Sequence, residues 1–143
     1  MHWHMRSITL IIIHCSAVRP WQQSSAEDID KWHKDKHWKG IGYHYVVRRD
    51  GSIELGRSLE EPGAHCVGHN RYSIGICYEG GLNAAGEEVD TRTPEQRVRL
   101  RELVTQLHQR FPRAVIVGHH DLNPGKKCPC YNAVEEYRDL QPP

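Results

Sequence analysis

Apolar residues along the chain alternate between short β-branched runs and longer stretches of helical spacing. Ile8 to Ile13 is short, apolar on both faces and bounded by His14, the pattern of an interior strand in a covered sheet. Ala114 to Val117 repeats it and runs into Gly118 and a histidine pair. Ser73 to Tyr78 is a third strand candidate, ended by Gly80-Gly81. Tyr43 to Arg48 and Ser52 to Leu55 flank Arg49-Asp50-Gly51, whose Asp-Gly pair predicts a hairpin turn.

Helix signals occupy the intervals. Ser25, Glu27 and Asp28 form an acidic start, and Ile29, Trp32 and His33 share a face, predicting a helix from about Ala26 to about His37. Thr93-Pro94-Glu95-Gln96 combines an N-cap, a first-turn proline and a capping-box glutamine. Leu100, Leu103, Val104, Leu107 and Phe111 follow at helical spacing until Pro112. Trp32 and the stripe from Val98 to Phe111 are read as core. Asn132, with Glu135 three residues on, opens a last short helix to about Leu140. The polar segment from Gly81 to Thr91 reads as an exposed loop. Strands alternating with helices predict a single α/β domain over residues 1–143, its core spanning about 8–140. A central mixed β-sheet is expected, flanked by helices on both faces.

Composition narrows the chemistry. The 143 residues suit one domain, and 38% apolar with 26% charged residues is globular usage. A net charge of +1 without a basic stripe argues against nucleic acid as a partner. The longest apolar run falls far short of the ~18 residues of a membrane span, and no small-residue cleavage site follows it. Synthesis in the cytoplasm is therefore expected, with no integral membrane contact. Five cysteines form an odd set that favours thiols or metal ligands over a disulfide framework, and eleven histidines raise the prospect of metal or acid-base chemistry.

Two predicted strands each deliver a histidine at their C-terminal end, His14 and His119, where a sheet rim presents functional groups. Cys128 follows in the turn-rich segment Pro124-Gly125-Lys126-Lys127-Cys128-Pro129. Two imidazoles and a thiolate make a three-ligand zinc set with a fourth position for water. Spacing alone leaves the alternative that His14 and His119 are hydrogen-bonded rim residues and Cys128 a small buried hydrophobe.

The order of motifs adds to this. Ile13-His14-Cys15-Ser16-Ala17, Trp32-His33, Gly42-Tyr43-His44-Tyr45, Arg49-Asp50-Gly51, Gly63-Ala64-His65, Gly68-His69-Asn70, Ser73-Ile74-Gly75-Ile76, Gly118-His119-His120-Asp121 and Lys126-Lys127-Cys128-Pro129 together resemble the type 2 N-acetylmuramoyl-L-alanine amidases. That family includes phage endolysins and peptidoglycan recognition proteins. The resemblance covers roughly Ile8 to Tyr137. It implies one zinc ion on His14, His119 and Cys128, with zinc-bound water cutting the amide between the lactyl group of muramic acid and L-alanine in peptidoglycan. It further implies catalytic assistance by Tyr43 and Lys126, although Lys127 competes for the latter role. His65 and Asn70, in a glycine-rich loop, are candidates to contact the stem peptide of a muramyl-peptide, against ordinary loop hydrogen bonding. His120 is a candidate outer residue beside His119, or the ligand itself if the register differs by one. His44 alternates with Tyr43 and is expected to pack. His2 and His4 are assigned no function.

Other chemistries remain to be separated. A non-catalytic peptidoglycan-binding module would typically lack the cysteine. A thiol enzyme would use Cys15 beside His14, or the Cys128 and Cys130 pair, and a structural zinc site would need Cys130 as fourth ligand. A monomer is expected, acting on the cell wall after release or on wall fragments inside the cell.

Overall fold

The first strand, β1, runs from Leu10 to Cys15 in a computed structural model that describes residues 6–143. His2 and His4 lie outside the described residues. β1 is flanked on both sides by parallel partners, β4 (Ser73–Tyr78) and β5 (Val115–Gly118). The hairpin of β2 (Tyr45–Val47) and β3 (Ile53–Leu55) joins through a parallel β2–β4 pairing, giving the order β3-β2-β4-β1-β5. One antiparallel pair on an otherwise parallel sheet makes it mixed, as expected. β1 begins and ends two residues later than the apolar run suggests, because its pairing continues to Cys15 opposite Tyr78. His14 is therefore held inside the ladder, not after it.

Alternation divides the sheet into two packing faces. Ile11, Ile13, Ile74, Ile76 and Ile116 meet Leu100, Leu103, Val104 and Leu107 of helix α2 (Pro94–Arg110) and Ala133 of helix α4 (Ala133–Glu136). On the opposite face Val46 and Cys77 pack against Ile29 of helix α1 (Ala26–Asp35), while Ile12 and Val117 sit beneath Leu122 of helix α3 (His119–Leu122). Each fully buried Val, Leu or Ile among these stabilises the fold by about 1.5–3 kcal/mol relative to exposure.

The caps behave as their sequences predict. Ser25 and Asp28 form a reciprocal box at α1, as do Thr93 and Gln96 at α2. Two core expectations fail. Trp32 is 41% exposed and Val98 57%. On α1 the buried line is Ile29 and His33. These are a turn apart, which leaves Trp32 on the flank. Val98 likewise stands off the buried stripe of α2. The last helix is also interrupted: α4 stops at Glu136 and a 3-10 turn follows at Arg138–Leu140.

Candidate metal centre and groove

The register of two parallel strands creates the site. Ile13 pairs with Gly118, so the next residues, His14 and His119, emerge side by side, their ring centroids 4.6 Å apart. Gly118 permits a close approach from a third segment, since a Cβ there would stand 2.7 Å from Cδ of Pro129. The Cys128 loop uses that space. It is held by the His120 N–H donating to the Cys128 carbonyl at 2.8 Å and by the Tyr78 hydroxyl donating to the Pro129 carbonyl at 2.6 Å.

His14, His119 and Cys128 consequently place one ligand atom each within 4.8 Å of one another. Zinc bonds to nitrogen and sulfur are about 2.0–2.3 Å long, so small rotations gather these atoms around a single ion. The backbone N–H of Cys15 donates to Cys128 Sγ at 3.1 Å, and the same sulfur lies 3.9 Å from the Cys15 carbonyl, so the end of β1 holds it in place. Cys130 stays outside the cluster, its thiol directed at the Gly81 carbonyl at 3.7 Å. Among the described residues the donor set is thus two nitrogens and one sulfur, which suits zinc with an open position rather than a closed structural site.

Electrostatics keep the nitrogen donors neutral. Burial holds the His14 imidazole well below its ordinary pKa, assisted by His65 and His119. Burial and then the Lys126 charge lower His119. Their lone pairs are therefore available near neutral pH. Tyr43, whose ring centroid is 5.0 Å from that of His14, is pushed upward by burial first and then by the neighbouring thiols, so it remains a neutral phenol.

A groove of about 410 Å³ runs beside the cluster, lined by Tyr43, His65, Asn70, His119 and Lys126 among others. Lys126 lines both this groove and the adjoining cavity that contains His14 and Cys128, whereas Lys127 borders only the latter. His120 is turned away, its Nδ1 3.2 Å from the Lys127 carbonyl. His44 is buried, accepting from the Gly75 N–H at 3.0 Å and donating to the Glu61 carbonyl at 2.8 Å, which makes it a packing residue.

Asn70 makes the loop hydrogen bonds that were the alternative to substrate contact, and His65 makes a side-chain bond that the sequence did not indicate. Asn70 Oδ1 accepts from the backbone N–H groups of His65 and Cys66, both at 2.9 Å. His65 Nδ1 lies 2.8 Å from His14 Nε2. Both residues still border the groove, together with His33 and Trp38, which sequence reasoning did not assign to it. The isolated Gly75 inside an otherwise bulky strand was the available signal, because such a glycine marks a close approach. Here the approaching group is the His65 ring.

The family model described as N-acetylmuramoyl-L-alanine amidase matches residues 4–131. The chain belongs to this family. The endolysin of Escherichia phage T7 is 38% identical over 126 residues, covering 88% of this chain and 83% of that protein. The endolysin of Klebsiella phage KP32 is 38% identical over 122 residues, 85% and 80% of the two chains. Among solved structures, the N-acetylmuramoyl-L-alanine amidase LysC from Clostridium intestinale URNW has a TM-score of 0.79 at 30% identity, covering 94% of this chain and 86% of that one. Drosophila PGRP-LB, at 23% identity and a TM-score of 0.75, shares the fold. As a member of the amidase family the chain carries its imidazole and thiol cluster within the matched residues, and no described helix is long and apolar enough to cross a membrane.

Proposed function

We propose that this protein hydrolyses the amide bond between the N-acetylmuramoyl lactyl group and L-alanine of peptidoglycan, using one zinc ion held by His14, His119 and Cys128. The observation that carries the proposal is the convergence of three ligand atoms within 4.8 Å at the edge of an open groove. When bound, zinc would supply a nucleophile at neutral pH by bringing the pKa of water to about 7, and would polarise the scissile carbonyl.

The chain's own groups do the remaining work. His14 and His119 offer neutral imidazoles, and Cys128 a sulfur held by the Cys15 N–H. The Lys126 ammonium stabilises negative charge as it develops on the carbonyl oxygen. Tyr43 keeps its proton and donates a hydrogen bond beside His14, orienting the amide. The groove bordered by Asn70, His33 and Trp38 receives the stem peptide.

Mass analysis of digested sacculi tests the proposal: free L-alanine amino termini and intact lactyl carboxylates are expected as new ends. The purified protein should carry about one zinc per chain, and Cys128→Ser should lose both metal and product, since a hydroxyl is a far poorer zinc ligand than a thiolate. Binding to sacculi without cleavage by the zinc-loaded wild type would identify a recognition module instead.

A further inference from the structure

The bond between His14 and His65 carries an inference that deepens the hydrolytic proposal and rests on its zinc assignment. His14 Nε2 and His65 Nδ1 are 2.8 Å apart, and the other nitrogen of His65, Nε2, lies 3.3 Å from the Ser73 hydroxyl oxygen. A neutral imidazole has one N–H and one lone pair, so protons along this chain can be arranged in only two ways. In one, Ser73 donates to His65 Nε2 and His65 Nδ1–H donates to His14 Nε2. His14 then carries its proton on Nδ1 and has no lone pair for a metal. In the other, His14 Nε2–H donates to His65 Nδ1 and His65 Nε2–H donates to the Ser73 oxygen. His14 Nδ1 is then a free ligand atom.

We propose that His65 is a positioning residue for the metal centre, accepting the His14 Nε2 proton and thereby fixing the tautomer and ring orientation that leave His14 Nδ1 free to bind zinc.

The surroundings of His65 are built to hold its ring. A Cβ at Gly75, in the middle of β4, would stand 2.7 Å from Cγ of His65, and one at Gly63 would stand 2.5 Å from Cδ2. Neither position accepts a side chain while the ring is there. Glycine inside a strand costs stability, and here it provides a flat seat for an imidazole. The His65 backbone is held in turn, since its N–H and that of Cys66 both donate to Asn70 Oδ1. Ser73, the terminal acceptor, is fully buried at the start of the same strand. Metal-binding histidines depend on such outer partners, and removing one typically costs 10- to 100-fold in metal affinity.

The test compares zinc affinity, measured by competition with a chromogenic chelator, in wild type, His65→Phe and His65→Asn. Phenylalanine fills the seat without an acceptor, and asparagine offers Oδ1 near the position of Nδ1. His65→Phe should bind zinc about 10- to 100-fold more weakly, and His65→Asn should recover most of that loss. Nitrogen NMR of the zinc-loaded wild type should find the His14 proton on Nε2, a readout independent of any variant's folding. Unchanged zinc affinity in His65→Phe, equal loss in both variants, or a His14 proton on Nδ1 overturns the proposal. A change confined to KM for a muramyl-peptide also overturns it, as the sign of simple substrate contact. Failure of the wild type to bind zinc would overturn the metal assignment itself, a result distinct from all of these.

Discussion

Lys126 and Lys127 are neighbours of the same chemistry, yet only Lys126 borders both cavities around the ligand cluster and bears on His119. A cation used to stabilise an oxyanion acts chiefly in the transition state, so its removal lowers kcat more than it raises KM. Lys126→Ala is expected to lose on the order of 100-fold in kcat, as removal of an oxyanion donor does elsewhere. Lys127→Ala should stay within a few-fold of wild type. Steady-state kinetics of both variants on a soluble muramyl-peptide decide it, and a severe defect at Lys127 alone would reverse the assignment. At this scale the strand ends already offered His14, His119 and Cys128 as a candidate set, but groups so far apart in sequence have no local signature, and the family resemblance was needed to prefer them over hydrogen-bonded rim residues. The bond from His65 to His14 was not legible at all. Gly75 marks a close approach to β4, but nothing in the string says that the approaching group is the His65 ring.

Helix α2 is the element whose sequence said most about its structure, and Gln96 shows why. Its Oε1 accepts from the Thr93 N–H at 2.9 Å while Thr93 Oγ1 accepts from the Gln96 N–H at 3.0 Å, completing the predicted box. The same side chain then donates from Nε2 to the carbonyls of Val47 and Glu79, at 3.1 and 2.9 Å, tying the helix start to two strand ends. Gln96 is fully buried, so Gln96→Ala would take from the Glu79 carbonyl its side-chain donor and undo half of the cap, while the Val47 carbonyl keeps the Glu79 N–H at 2.9 Å. A loss of about 2 kcal/mol follows from one cap and one desolvated acceptor, to be measured by urea denaturation at unchanged m-value. A loss below about 0.5 kcal/mol, the ordinary effect of a surface change, would show that water replaces the amide without cost. Helix α1 was less well read. Its cap was correct, but Trp32 was placed in the core because residues three and four apart both lie near Ile29. His33 is the one buried, its Nδ1 accepting from the Gly42 N–H at 2.9 Å, a partner that local spacing does not reveal.

For the whole molecule, buried histidines link stability to pH. His44 is bonded on both ring nitrogens, and burial lowers its pKa from 6.5 to about 4. The unfolded chain therefore binds more protons between those values. The stabilising contribution is complete above about pH 6.5 and is lost progressively as pH falls toward 4. Between pH 7 and pH 5 the loss attributable to His44 is on the order of 1–2 kcal/mol by the same linkage. Denaturation of wild type and His44→Gln at a series of pH values checks this. The difference in slope isolates His44 from the other buried imidazoles, and parallel curves would refute the assignment.

What the sequence by itself determined are the features that depend on near neighbours along the chain: two caps, the Asp-Gly hairpin, the β-branched strands and the α/β class. These follow from backbone and side-chain preferences that act over a few residues. The family could also be recognised, since an ordered series of motifs is a property of the string. The tertiary structure decided the order β3-β2-β4-β1-β5, the register that sets Ile13 against Gly118, and hence the meeting of His14 with His119 and Cys128. It also decided that His65 rests on Gly75 and bonds to His14. Each of these depends on packing between segments distant along the chain, where the partner is chosen by the shape and pairing of the whole sheet and not by local preference.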